Sequence, residues 1–329
     1  MECDFLIVGA GPAGLAIGKK LSAYGRVLLL EKNDTVGGLA ATLGCKAHQQ
    51  CLYCGICRNV DLSRQIGDLR SLVFYPRDIL KVTRFDAGFQ VATNCEEIRA
   101  KYVVIASGAE PFDARKVPNL GYGRLEGVLS GLDVERSMND GRVFELFPPQ
   151  GRVAFIQCVG SRSFKEKRGY CSQICCRYAL RALDFLRYFL PGLEFTMFYM
   201  DLQIFGAKSD YLWEVARNKV SLIRSIPFRV EGENGSLEVF YENEHAQVIK
   251  EEFDRVVLSI GLSPGSSTKN LARIFGLELD EWGFIRNFGG GRTSNPGVFV
   301  CGTAGGPKDV ETTIFEACQV AENILEIAG

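Results

Sequence analysis

Histidine is scarce in this chain of 329 residues, which carries only His48 and His245. Catalysis that rests on a histidine base, a Ser-His-Asp triad or a metal-hydrolase motif therefore has almost nothing to draw on. A surplus of charge is missing as well. Lys plus Arg number 38 and Asp plus Glu 39, a formal net charge of −1. The basic residues are scattered, so no nucleic-acid partner is expected. Near the start, the apolar stretch from Phe5 to Gly18 is short and interrupted by Gly9, Gly11, Pro12 and Gly14, which excludes a spanning helix there. Glu2 and Asp4 stand where a secretory leader would carry basic charge. The expectation is a cytoplasmic protein without membrane insertion. Solenoid-period repeats and low-complexity segments are also absent.

What is present is an ordinary globular balance, 47% hydrophobic and 23% charged, at a length that suits two packed domains. Cysteine is the exception. There are 12, and they cluster: four lie in 45–57 and three in 171–176. In a cytoplasmic chain such cysteines are metal-binding, redox-active or buried more often than disulfide-paired.

The opening residues DFLIV read as a buried parallel strand, followed by Gly9-Ala10-Gly11-Pro12-Ala13-Gly14 and a helical stretch to about Ala23. A second apolar strand, Arg26 to Leu30, ends in Glu31. This is a βαβ unit with GxGxxG at the strand-to-helix turn and an acid about twenty residues on. The glycines let backbone touch a pyrophosphate, the helix N-terminus offers free N–H groups, and Glu31 can accept from a ribose diol. A bare tight turn without ligand is the alternative.

Further along, 70–105 reads as short strands, with FQVAT and YVVIAS clearest, and Pro111 to Pro149 as loop-rich. Arg152 opens another strand, a helix is expected from about Tyr170 to Phe189, and EFTMFYM is a strand. Lys208 to Asn218 reads as helix and 220–260 as β-rich. The chain closes with a strand, a Gly-rich turn and a helix from Val310 to Ile327. The fold class is therefore α/β with two Rossmann-like dinucleotide-binding domains, the second inserted in the first. The expected boundaries are 1–145 plus 265–329 for the first and 146–264 for the second.

Cys45, Cys51, Cys54 and Cys57 are spaced C-x5-C-x2-C-x2-C. Four thiolates suit a [4Fe–4S] cluster or tetrahedral zinc, and compactness favours the cluster. A redox disulfide needs two cysteines, not four. His48 lies within the segment, as an alternative ligand or as a solvated side chain. On a helix, Cys171 and Cys175 would share a face. With Cys158 and Cys176 they read as small buried hydrophobes at a helix–sheet contact, as a second metal site, or as a redox group. Arg162 and Arg177 are read as phosphate neighbours or solvated arginines.

The pieces GAGPAG at 9–14, Glu31-Lys32, Gly37-Gly38, IASGA at 105–109 and GVFVCGTA at 297–304 resemble the flavoprotein superfamily of thioredoxin reductase and glutathione reductase. A closer resemblance lies in CVGSR at 158–162, YCSQICCRYAL at 170–180 and FYMDLQIFG at 198–206, which look like the HdrA family of heterodisulfide reductases. The short length is similar to the bacterial HdrA-like proteins of sulfur-oxidation complexes. The resemblance implies FAD, an iron–sulfur cluster, and B- and C-type partner subunits, with a homodimer as the isolated form. Carried over residue by residue, it implies FAD contacts at Gly9, Gly11, Pro12, Ala13, Gly14, Glu31, Lys32, Gly38, Leu39, Ala106, Ser107, Gly108, Gly302, Thr303, Val310 and Thr312. It also implies that the last helix aims its N-terminus at the flavin, where its dipole stabilises the reduced form.

Two departures matter. The second domain runs from RVAFIQ into Cys158-Val159-Gly160-Ser161-Arg162, losing two of three fingerprint glycines, so NAD(P)H binding is expected to be lost. Thr303 replaces the acid usual after the C-terminal glycine. The competing expectations are an NAD(P)H-dependent, thioredoxin-reductase-like disulfide oxidoreductase and a flavin-bearing scaffold whose cysteines hold zinc.

Overall fold

The structure, a computed structural model, describes residues 1–65, 72–76, 78–164, 167–233 and 235–328. Parts of the strand region expected from residue 70, at 70, 71 and 77, lie outside them. The chain packs as two units. One comprises Met1–Ala41, Cys54–Glu110 and Ser263–Gly329, and the other Thr42–Tyr53 and Pro111–Leu262.

The first unit is built on the strand Glu2–Val8, flanked in parallel by Val27–Glu31 and Glu97–Ile105. Leu72–Pro76 extends the sheet on one side in parallel. On the other side Gly88–Thr93 and Ile79–Phe85 add antiparallel strands, and Val298–Val300 pairs in parallel with Glu97–Ile105. Period-2 alternation sends Leu6, Val8, Leu28 and Leu30 into one core and Phe5, Ile7, Val27 and Leu29 into another. Both faces are thus buried, as parallel sheets require. The helices Pro12–Leu21 and Val310–Ala328 cover the second core, with Leu15, Ile17, Ile314 and Ile324 all but inaccessible.

The second unit repeats the plan. Five parallel strands run in the order Ser221–Ile223, Gly192–Phe198, Gln150–Val159, Arg255–Ile260, Val128–Ser130. An antiparallel sheet of Arg229–Glu233, Ser236–Glu242 and Val248–Phe253 accompanies it. Helices Gly131–Asn139, Cys175–Phe189 and Ser209–Lys219 belong to this unit.

Three differences from the sequence reading follow from contacts between distant residues. The passage into the second unit comes at Pro111 rather than 146, because Val128–Ser130 joins the second parallel sheet through Arg255–Ile260. The stretch read as loop contains a nine-residue helix, Gly131–Asn139, started by a capping box. Ser130 Oγ accepts from Asp133 N at 3.2 Å and Ser130 N donates to Asp133 Oδ2 at 2.8 Å. The helix expected from Tyr170 starts only at Cys175, since Gln173 has a φ of +60°. Cys171 therefore lies before the helix and does not share a helical face with Cys175.

Candidate functional site

In the first unit the parallel strands end at a common edge, where α/β sheets hold their ligands. The turn after Glu2–Val8 brings Gly9 beneath Ala106, and a Cβ on Gly9 would overlap the Ala106 carbonyl oxygen. A Cβ on Gly14 would in turn overlap the Gly9 carbonyl oxygen. These two contacts let the helix Pro12–Leu21 start hard against the strand. Gly11 is its N-cap and Pro12 its first residue, a position where the missing N–H costs nothing.

Several other sequence-named residues of the first unit pack on this turn or on one another. Gly38 lies with its Cβ direction 3.0 Å from Gly11 Cα, and it opens the short turn that carries Leu39. The Cβ direction of Gly302 lies 2.6 Å from Ala13 Cβ, and that of Gly108 lies 3.6 Å from Thr303 Oγ1. Ala106 N donates to Val8 O at 2.8 Å. A cleft lined by Gly9, Glu31, Lys32, Ile79, Ser107 and Asn270 opens at this edge. Glu31, among its lining residues, is buried. Its Oε2 accepts from Ala10 N at 2.8 Å and its Oε1 from Lys32 N at 2.9 Å and Asn33 N at 3.2 Å. Together with Asn33 Nδ2, which donates to Oε1 at 3.3 Å, those bonds aim the carboxylate and leave room on Oε2 for a ribose hydroxyl. The residues fit an adenosine diphosphate moiety: an oriented acceptor, a helix N-terminus and glycines where a side chain would block approach.

Sequence reasoning missed the supports of this site. Ser107 Oγ and Thr268 Oγ1 lie 2.8 Å apart, and Thr268 Oγ1 donates to Gly108 O at 2.8 Å. Glu316 Oε2 accepts from Gly302 N at 2.7 Å, Lys308 Nζ donates to Gly302 O at 2.8 Å, and the two side chains pair at 3.0 Å. Both sides of Gly302 are thus tied from the last helix and its approach. The signal was present only as a Lys and a Glu eight residues apart. Val310 and Thr312 sit in the first turn of that helix, where Asp309 Oδ1 accepts from Thr312 N at 2.8 Å.

Cys54 and Cys57 lie in the same unit, Cys57 in the first turn of the helix Ile56–Gln65. Between them Gly55, with a φ of +81°, packs on the last helix, its Cβ direction 2.9 Å from Glu311 N. Arg58 Nη1 reaches Glu311 Oε1 at 3.2 Å. The stretch from Cys54 to Arg58 is therefore pinned to the N-terminus that sequence reasoning assigned to the flavin.

Cys45 and Cys51 belong to the second unit with the rest of Thr42–Tyr53. Lys46, 3% exposed, forms an ion pair with buried Glu135 and donates to Gly44 O at 2.8 Å. Burial pushes the Glu135 carboxyl above its ordinary range, against the opposing pull of Lys46. His48 is not solvated, contrary to expectation. Its side chain is buried, its ring stacks on Tyr188, and Nε2 meets Asp184 Oδ2 at 2.9 Å. Asp184 also accepts from Tyr211 OH at 2.6 Å and Lys219 Nζ at 3.0 Å. Burial pushes the Asp184 carboxyl up, but the bonds from Tyr211, His48 and Lys219 together outweigh it, so its pKa lies below the usual value. A carboxylate with a lowered pKa contributes stability above its unfolded pKa of about 4 and loses it as pH falls through the folded value. Asp184→Asn should therefore lower the thermal midpoint at neutral pH, with the gap to the native protein closing below about pH 4. A gap independent of pH would show that charge on Asp184 is not what stabilises the unit.

Cys158, Cys171, Cys175 and Cys176 are near enough for their charges to influence one another. Burial pushes the Cys158 thiol up to about 12 and Cys176 to about 11, and Cys175 well above its ordinary value. Arg162, partly exposed, pairs with Asp201 through both terminal guanidinium nitrogens, Nη2 at 3.1 Å from Oδ2. Arg177 is buried and lies over the Phe205 ring at 5.5 Å. None of the cysteines is joined in a disulfide, and among the described residues no group of three or more His, Cys, Asp or Glu side chains is drawn together closely enough to hold a metal ion. Among those residues no helix is long and apolar enough to cross a membrane.

The profile of the pyridine nucleotide-disulphide oxidoreductase family matches residues 3–143. The chain is 31% identical over 243 residues to the A-type polypeptide of the H(2):CoB-CoM heterodisulfide,ferredoxin reductase of Methanothermobacter thermautotrophicus, covering 68% of this chain and 36% of that protein. It is 35% identical over 240 residues to the A-type iron-sulfur polypeptide of the CoB–CoM heterodisulfide reductase of Methanocaldococcus jannaschii, with the same coverage of each. The chain thus spans about a third of the length of these relatives. Its fold resembles the thioredoxin reductase of T. acidophilum, with a TM-score of 0.66 at 20% identity over 99% of each chain. On these grounds the chain belongs to the pyridine nucleotide-disulphide oxidoreductase superfamily, as an HdrA-like member related to heterodisulfide reductases.

Proposed function

We propose that the chain is the FAD- and [4Fe–4S]-bearing electron-transfer component of a heterodisulfide reductase-like complex in sulfur or disulfide redox metabolism. The observation that carries this reading is the packing of Gly55, between Cys54 and Cys57, on the first turn of the last helix, beside the turn at Gly302 and Thr303. A thiol segment pinned there joins a dinucleotide site to a second electron carrier. FAD would supply a two-electron store that empties singly, and a cluster on Cys45, Cys51, Cys54 and Cys57 would relay single electrons. The donor set suits the cluster in chemistry: four thiols outside any disulfide, each with solvent access, in a segment that is irregular up to Ile56.

In this reading Gly9, Gly11, Gly14 and Glu31 hold the adenosine diphosphate half of FAD. Gly302, Thr303 and the last helix hold the rest, and the Lys308–Glu316 pair keeps the Gly302 turn fixed. The partners are B- and C-type subunits, and the isolated chain is a homodimer. The Arg162–Asp201 pair supports loss of NAD(P)H binding in the second unit, because it engages the acid that follows the strand Gly192–Phe198.

Anaerobic purification with iron, sulfide and flavin quantified tests this reading. One flavin and about four iron per chain are expected. The electron paramagnetic resonance signal of the dithionite-reduced protein should disappear in Cys54→Ala while flavin is retained. Equimolar zinc with negligible iron, or bleaching of the flavin by NAD(P)H alone, would overturn the proposal.

A further inference from the structure

We propose that His48 is a positioning residue, which fixes the course of the chain between Cys45 and Cys51 through a clamp made of Asp184, Tyr211 and Lys219. The segment from Leu43 to Cys54 has no helix or strand of its own. Without a ladder of backbone hydrogen bonds, its path is set by what its side chains grip. Three grips alternate along it within the second unit. Lys46 reaches Glu135, His48 reaches Asp184, and Gln50 Oε1 accepts from Lys208 Nζ at 2.9 Å. The central one is the most completely enclosed, with side-chain exposures of 3% for His48 and 2% for Asp184.

The receiving carboxylate is itself held in place. Asp184 projects from the helix Cys175–Phe189, while Tyr211 and Lys219 come from the helix Ser209–Lys219 and occupy both of its oxygens. Its orientation is thus fixed by another element, as outer carboxylates fix ligand-bearing groups elsewhere. The Tyr188 ring, 4.6 Å away between centroids and tilted by 22°, sets the imidazole plane. With Nε2 facing a carboxylate, the hydrogen sits on Nε2. Nδ1 is buried and has no partner among the described residues. A histidine recruited only to fill space would not need one ring nitrogen directed so specifically. Cys45 and Cys51, three residues to either side, are exposed. Holding the residue midway between them restrains both thiols at once.

The cofactor side of this inference rests on the reading of Cys45 and Cys51 as ligands; the clamp itself does not. Its test therefore uses two sets of measurements on the full chain. The first follows hydrogen exchange over 42–53 and iodoacetamide alkylation of Cys45 and Cys51 in protein stripped of metal. His48→Ala should raise both rates about tenfold, the effect of losing one hydrogen bond to a charged group. His48→Gln, which keeps an N–H donor, should return them to within about threefold of the native protein. Asp184→Asn, which preserves shape, should fall between, and it serves if His48→Ala does not fold. Unchanged rates in His48→Ala, or a His48→Gln no better than His48→Ala, would overturn the clamp. The second set measures loss of iron to a chelator and the resonance line shape in anaerobically purified protein. Both should change in His48→Ala and recover in His48→Gln, and failure to change would overturn the link to the cofactor. A native protein without iron would sink the reading of the cysteines, and the alkylation rates would still decide the clamp.

Discussion

Gly14→Ala should yield a protein that neither retains flavin nor reaches the native thermal midpoint. A Cβ at this position would overlap the Gly9 carbonyl oxygen, a backbone atom that cannot step aside without moving the strand end. Alanine would gain about 1 kcal/mol of helix propensity over glycine, so a change for the worse isolates the clash. Overpacking against rigid backbone costs about 3 kcal/mol or more. Gly11→Ala is the matched control. Gly11 has a φ of −78°, which alanine adopts freely, and its Cβ direction meets nothing closer than Gly38 Cα at 4.0 Å. That variant should fold at the native midpoint and lose only flavin, since the methyl group would stand where a phosphate approaches. The flavin-to-protein absorbance ratio and a thermal melt separate the two. A Gly14→Ala variant that melts and binds like the native protein would rule out close helix–strand packing as the basis of the site.

Glu135→Ala should be the most damaging single change in the second unit. It leaves the Lys46 ammonium, 3% exposed, without its carboxylate. Breaking a buried pair from one side costs about 3–5 kcal/mol, because the surviving charge keeps its desolvation penalty. Replacing both partners by apolar residues of similar size, Lys46→Met with Glu135→Leu, should recover most of that loss. Denaturant midpoints of the two single variants and the double variant give the coupling directly. Strictly additive losses would show that the pair does not act as a unit. Glu135→Ala should also open 42–53 to proteases, since Lys46 loses its carboxylate and no longer anchors the neighbouring turn, although the backbone bond from Gly44 N to Glu135 O at 3.1 Å is kept.

Local signals point to the candidate site of the first unit. GAGPAG, Glu31 and the strand-turn at Ala106 are short strings whose chemistry is written in consecutive residues. The structure sets Gly9, Gly14, Gly38 and Gly302 against the partners that such a turn requires. What the sequence could not disclose were pairs far apart along the chain. Lys46 and Glu135 are separated by 89 positions and His48 and Asp184 by 136. No period or spacing links them, which is why His48 reads as solvated until Asp184 is placed beside it. The late start of the helix at Cys175 has a similar cause. Apolar periodicity runs back to Tyr170, but Ser172 Oγ accepts from Leu262 N at 3.0 Å and Tyr170 OH donates to Leu262 O at 2.8 Å. Those tertiary bonds outcompete helix continuation. Val128–Ser130 likewise owes its strand to Arg255–Ile260, more than a hundred residues downstream.

The excursion of Thr42–Tyr53 also bears on how this protein can be taken apart. A piece cut at Pro111 and Leu262 looks self-contained on a linear map, yet it omits the twelve residues that cap Glu135 and Asp184. Such a truncation would leave Glu135 without Lys46 and Asp184 without His48, and it should be less stable than the intact unit. Supplying the missing stretch as a synthetic dodecapeptide, or grafting it onto the truncation by circular permutation, is the rational route to an autonomous half.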